Sequence, residues 1–131
     1  MVVYETVLVD TDILIKAYRG DKLKIANLKK LKDKYCISVI TACELLVGAK
    51  NLKQLAEMNK LLRIYTIATV DEKISDLVLK LFQKYSIRNR LKISDTFIAA
   101  TAIRNNLLIY TDNKSDFNFI DDIRFYSEKP F

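Results

Sequence analysis

The sequence predicts an α/β domain whose mostly parallel sheet is covered by helices on both faces. Two observations carry that expectation. Short apolar runs alternate with longer stretches of helical periodicity, and two glycines and one proline in 131 residues leave room for little but regular structure and short turns. The length suits a single domain over 1–131, and half of the residues are hydrophobic, enough for a substantial core. Repeats, linkers and low-complexity tracts are absent from the sequence.

Val7-Leu8-Val9 reads as a strand that ends at Asp10, and Thr11 and Asp12 start a short helix running to about Tyr18. Gly20-Asp21 breaks that helix. A basic amphipathic helix follows, with Leu23, Ala26, Leu28 and Leu31 inside. Cys36 to Val39 reads as a buried strand, Thr41 to Ala49 as a helix, and Leu52 to about Leu62 as another. Arg63 to Ala68 is expected as a third strand. Asp71 to Tyr85 is a helix on the i, i+3, i+4 recurrence of Ile74, Leu77, Val78, Leu81, Phe82 and Tyr85. Ser94 opens a further helix through about Asn105. Leu107 to Tyr110 is an apolar strand, Asp112 to Asp116 a loop, and Arg124 to Tyr126 a last short strand.

Composition removes whole classes of chemistry. With no histidine, the chain has no Ser-His-Asp or Cys-His catalysis, no imidazole zinc site and no histidine proton shuttle. Cys36 and Cys43 each sit in an apolar stretch and read as small buried hydrophobes of a reducing compartment rather than a disulfide framework. The chain opens without a signal-like segment and holds no apolar run approaching a membrane span, so a soluble, cytoplasmic protein is expected. The net charge of +6 is concentrated: residues 16–63 carry twelve basic and four acidic side chains, a local +8, while the remainder balances to −2. Such a split suits a face for a polyanion, nucleic acid first, or else a solvated lysine-rich surface.

Four carboxylates stand where little around them is polar. Glu44 is the only charged residue between Tyr35 and Ala49, and Asp95 the only one between Ile93 and Ile103. Asp10 ends the first apolar strand, and Asp116 lies just past the strand Leu107-Leu108-Ile109-Tyr110. Burying a lone carboxylate is costly, so such acids are paired, neutralised or bound to a cation. Each also has a purely structural explanation. Thr41-Ala42-Cys43-Glu44 fits a capping box, Ser94 an N-cap with Asp95 favouring the helix dipole, Asp12 an N-cap, and Asp112, Asn113 and Asp116 ordinary turn residues.

Taken together, the four favour a common site. In a parallel α/β sheet, strand ends and helix starts line one edge, where sites gather. Asp10 and Asp116 lie at or past strand ends, and Glu44 and Asp95 are expected in first helical turns. Carboxylates gathered there repel unless hard divalent cations neutralise them, and oxygen-only ligands suit Mg²⁺ or Mn²⁺. The chemistry that matches is metal-assisted displacement at phosphorus.

These residues resemble the PIN-domain ribonucleases. Val9-Asp10-Thr11-Asp12-Ile13-Leu14-Ile15 is similar to the family's opening motif, Ser38-Val39-Ile40-Thr41-Ala42-Cys43-Glu44-Leu45 to the second, and Ile93-Ser94-Asp95-Thr96-Phe97-Ile98-Ala99-Ala100 to the third. Thr111-Asp112-Asn113-Lys114-Ser115-Asp116-Phe117 resembles the closing motif. The motifs stand in family order over residues 7–117, and so short a chain most resembles the VapC-type toxins of prokaryotic toxin–antitoxin pairs.

The resemblance implies a three-layer α/β/α domain, Mg²⁺ or Mn²⁺ dependence and endonucleolytic cleavage of RNA. It places Asp10, Glu44 and Asp95 at the three firm metal positions and Asp116 at a fourth, for which Asp112 and Asn113 compete. Asp12 stands where the opening motif often has Asn, and Thr11 and Thr111 orient water or carboxylates. A homodimer is implied, as is a small antitoxin whose Arg or Lys replaces the metal's charge among the acids. The +8 segment then reads as part of an RNA-binding surface, with Tyr18 and Tyr35 as stacking or core residues. Other readings are a catalytically silent PIN-like module that binds RNA or protein, and, on Asp10-Thr11-Asp12 alone, an Asp-nucleophile phosphatase. A receiver domain needs an acceptor Asp at a mid-chain strand end, and no Asp lies between Asp33 and Asp71.

Overall fold

Strand–helix alternation gives four strands and six α-helices in the computed structural model, which describes residues 5–87 and 91–130. In chain order these are β1 (Val7–Val9), α1 (Thr11–Tyr18), α2 (Lys22–Lys30), β2 (Tyr35–Ser38), α3 (Val39–Val47) and α4 (Leu52–Leu62). They continue with β3 (Ile67–Ala68), α5 (Glu72–Tyr85), α6 (Ile93–Arg104) and β4 (Leu108–Tyr110), and a single 3₁₀ turn covers Lys114–Asp116. The strands form one sheet in the order β3-β2-β1-β4, with each pair parallel. Val7 faces Tyr35 on one side and Leu108 on the other, so β1 is central.

Period-two alternation sorts the sheet's side chains into two cores. Val7, Val9, Ile37 and Tyr110 join Ile13, Leu14, Leu28, Leu45 and Met58 from α1 to α4 on one face. Leu8, Cys36 and Ile109 join Ile74, Val78 and Leu81 of α5 and Ile98, Ala99 and Ala102 of α6 on the other. This is the expected three-layer α/β/α arrangement. α5 illustrates the energetics: Asp71 caps it by accepting from the Ile74 N–H at 2.8 Å, and Ile74, Val78 and Leu81 are buried, each contributing about 1.5–3 kcal/mol. With few glycines, the left-handed turn positions fall to Gly20 (φ +97°) and to Asp33, Asn106 and Asp122, residue types that tolerate that region.

Several boundaries differ from expectation. β2 ends at Ser38, whose hydroxyl caps α3 by accepting from the Ile40 N–H at 3.0 Å. Val39 is therefore helical, Thr41 is a fully buried interior residue, and the capping box on Thr41 does not form. Glu44 consequently sits in the second turn of α3. α6 begins at Ile93, one residue before Ser94, and the Thr96 hydroxyl bonds back to the Lys92 carbonyl at 2.8 Å. Cys36 is buried, but Cys43 is exposed because it falls on the outer side of α3. The third strand is only Ile67–Ala68, and the expected strand at Arg124–Tyr126 is a single parallel bridge between Ile109 and Phe125. On α2 the inward stripe is Lys24, Asn27, Leu28 and Leu31; Leu23 and Ala26 are half-buried. Among the described residues, no helix is long and apolar enough to cross a membrane.

Candidate active site

The acids gather at the carboxyl edge of the sheet because of chain direction. Asp10 follows β1 directly, and its backbone N–H extends the β1–β4 pairing by donating to the Tyr110 carbonyl at 2.9 Å. Thr111 follows β4 at the same level. α6 precedes β4 and runs back against it, so its first turn, with Asp95, returns to the same edge. The 3₁₀ turn after β4 brings Asp116 there.

Asp10 is 7% exposed and caps α1. One oxygen accepts from the Thr11 N–H at 2.8 Å and the other from the Thr111 hydroxyl at 2.8 Å. Thr111 is itself set by accepting from the Asn113 N–H at 3.0 Å. Glu44, on the exposed side of α3, accepts from the Thr11 hydroxyl at 2.8 Å, and the Thr11 and Thr41 hydroxyls lie 3.0 Å apart. The two threonines of the opening and closing motifs thus each hold one acid.

Asp12 behaves differently from the others. One oxygen accepts from the Ile13 N–H at 2.8 Å; the second accepts from the Asp112 N–H and the Asn113 side-chain amide, both at 3.0 Å. It ties the opening motif to the closing loop. Asp112 is turned away into ion pairs with Lys16 and Lys24, which outweigh its partial burial and hold its pKa below the usual carboxylate range. Asn113 is engaged with Asp12. Of the three closing-loop candidates, only Asp116 keeps a side chain without a hydrogen bond or ion pair among the described residues, and half-buried Asp95 shares that condition.

The electrostatics make one neighbourhood of the five acids. Burial, then the charge of Asp12, and more weakly that of Asp95, push Asp10 up to about 7 against the pull of its two hydrogen bonds. Burial, then Asp116, and beyond that Glu44 and Asp12, raise Asp95, with Lys92 as the opposing cation. Among the described residues, no three acidic side chains are drawn together closely enough to grip an ion as they stand. The donor set nevertheless fits a hard divalent ion: it is all oxygen, its net charge is negative, and Asp95 and Asp116 have uncommitted lone pairs among the described residues.

Sequence reasoning missed Lys24 and Asn27, which lie behind this edge, because it assigned the inner stripe of α2 by residue type. The i, i+3, i+4 spacing of 24, 27, 28 and 31 was the available signal.

The fold and the acid-lined edge define a class: a parallel α/β/α domain with an all-oxygen acidic centre at the strand ends. The chain belongs to the PIN domain family, whose profile matches residues 7–122. It is 34% identical over 112 residues to Ribonuclease VapC1 of Methanocaldococcus jannaschii, covering 85% of this chain and 78% of that protein. Among solved structures it is similar to a toxin–antitoxin complex from Klebsiella pneumoniae, at 29% identity and TM-score 0.78, covering 96% of this chain and all of that one. DNA-bound VapBC from Salmonella typhimurium shares the fold at TM-score 0.83 and 22% identity, covering 93% of this chain and 97% of that one.

Proposed function

We propose that this chain is a divalent-metal-dependent endoribonuclease and the toxin of a toxin–antitoxin pair, acting as a cytoplasmic homodimer. The observation that carries the reading is the acidic edge itself, where Asp10 and Asp95 are both raised by burial and by neighbouring carboxylates. The identity to a relative named as a ribonuclease supports the activity, and the Klebsiella complex supports a protein antitoxin.

Asp10, Glu44, Asp95 and Asp116 would hold Mg²⁺ or Mn²⁺. The ion, when bound, would supply charge for the phosphodiester oxygens and lower the pKa of attacking water. Thr111 and the Thr11 N–H hold Asp10 by its two oxygens, and Thr11 keeps Glu44 turned to the same edge. Asp95 and Asp116, which make no hydrogen bond or ion pair among the described residues, would close on a cation. Asp12 and Asn113 brace the loop rather than ligate, and Asp112 is neutralised by lysines. An antitoxin side chain of Arg or Lys would satisfy the same charge. The basic surface of residues 16–63 draws the RNA backbone to this edge.

The test incubates the purified protein, freed of any antitoxin, with pools of tRNA and ribosomal RNA in Mg²⁺, Mn²⁺ or EDTA. Asp95→Asn prepared identically exposes contaminating nuclease. Discrete cleavage that requires metal and vanishes in the variant is expected. RNA binding without cleavage in any pool, by folded protein with metal bound, would instead mark a silent binding module.

A further inference from the structure

A polar seam runs from the C-terminal tail to the acidic edge. α2 turns Lys24 and Asn27 inward, where a helix packed on a sheet ordinarily places apolar residues. Lys24 is 6% exposed, and its ammonium is clamped between Glu128 of the tail and Asp112 of the closing loop, the latter at 2.9 Å. Glu128 also accepts from the Tyr110 hydroxyl at the end of β4. One turn along α2, the fully buried Asn27 accepts from the Tyr126 hydroxyl and the Lys129 N–H, both at 2.7 Å. It donates to the Lys129 carbonyl at 2.9 Å. The tail is strapped across α2 at two successive turns.

An inward ammonium costs desolvation that a leucine at position 24 would avoid, and stability alone does not explain it. What the charge touches is informative. Lys24 grips the Asp112 carboxylate, while the Asp112 N–H and the Asn113 amide converge on one oxygen of Asp12. Lys16 binds the other Asp112 oxygen but is largely exposed, and exposed pairs contribute little. Glu128, Lys24, Asp112 and Asp12 therefore form an unbroken path of contacts into the cluster.

We propose that Lys24, clamped by Glu128, is a positioning residue for the acidic edge: it fixes the closing loop through Asp112 and thereby sets the stance of Asp12 and its neighbour Asp10. Its bearing on metal rests on the function proposed above; its bearing on the loop does not.

The test uses the full chain with Lys24→Met, Lys24→Arg and Glu128→Gln. Two readouts are followed: hydrogen exchange at the Asp112 and Asn113 amides, and Mn²⁺ binding measured by loss of the free-ion electron-spin signal. Lys24→Met is expected to speed exchange at Asp112 about tenfold or more, as local opening becomes easier. It should also weaken Mn²⁺ binding roughly 10- to 100-fold, the range for groups that orient metal ligands. Lys24→Arg should recover most of both, and Glu128→Gln should fall between. Should Lys24→Met not fold, Glu128→Gln, which keeps acceptors for Lys24 and Tyr110, decides. Unchanged exchange at Asp112 in a folded variant overturns the proposal. Absence of Mn²⁺ binding by the wild type would instead remove the nuclease reading, while the exchange arm still judges the loop.

Discussion

Thr11, the first residue of α1, donates its hydroxyl to Glu44 in the second turn of α3 at 2.8 Å. That bond joins the opening and second motifs across 33 residues of sequence and turns the Glu44 carboxylate toward the edge where Asp10 ends β1. The acid is aimed by a neighbouring hydroxyl rather than by a helix cap, so its charge and its structural contact are separable.

Glu44→Gln tests that separation. The amide oxygen still accepts from Thr11, so the unfolding free energy from urea titration should hold to within about 0.5 kcal/mol. Cleavage in Mg²⁺ should fall about 10²- to 10³-fold, the scale for removing one member of a charge-stabilising set. A loss of stability that tracks the loss of activity would assign Glu44 to packing.

Asp95→Asn is nearly isosteric, and Asp95 has no hydrogen bond or ion pair to lose among the described residues. Folding should be unimpaired while Mn²⁺ affinity and cleavage collapse together. Titration calorimetry beside the cleavage assay checks this, and full metal-dependent activity in the variant would refute the assigned centre.

Asp10 sets a pH dependence of definite sign. Its folded-state value is raised from 3.8 to about 7, so the folded chain holds that proton more tightly than the unfolded chain. The stabilisation is complete below about pH 4 and is lost as pH rises through about 7, on the order of a few kcal/mol. Urea unfolding in EDTA at pH 5, 6, 7 and 8 should therefore show wild type weakening relative to Asp10→Asn. Excess Mg²⁺ at pH 8 should restore the wild type and leave the variant unmoved.

Asn27→Leu fills space but leaves the Tyr126 hydroxyl and the Lys129 N–H without their acceptor. At about 1–3 kcal/mol for each buried unsatisfied group, a loss of roughly 2–4 kcal/mol is expected. Denaturant titration measures it, and carboxypeptidase should trim the variant's tail faster than that of the wild type.

RNA binding by Asp95→Asn should weaken with salt, by about 0.7 in the logarithmic slope for each phosphate neutralised on a single strand. A slope near zero would leave the +8 charge of residues 16–63 as a solvated surface.

Much of this was legible in the sequence because its signals are local. The apolar spacing of α5, the strand Val7–Val9 running into Asp10, and the acids isolated in apolar windows all report short-range physics. The PIN motifs added the order in which those acids meet. Where several short-range options competed, the tertiary packing decided. Ser38 and Thr41 are both good caps, and only the length of β2 selects Ser38. Lys24 and Asn27 look like solvent-facing residues until the tail arrives with Glu128 and the backbone of Lys129. Asp112 is indistinguishable from Asp116 as a loop acid until Lys16 and Lys24 claim it.

The central place of β1, paired with β2 on one side and with β4 on the other, has a consequence for synthesis. Val7 and Leu108 are partners in register, so a chain emerging from the ribosome can pair β1 with β2 early, yet must wait for Leu108–Tyr110 to complete the other side. Until then Asp10 lacks Thr111, and Asp95 and Asp116 have no edge on which to assemble. A nascent chain thus lacks its acidic edge until Thr111 and Asp116 have been made, and on the function proposed above that leaves an interval in which an antitoxin can meet it first.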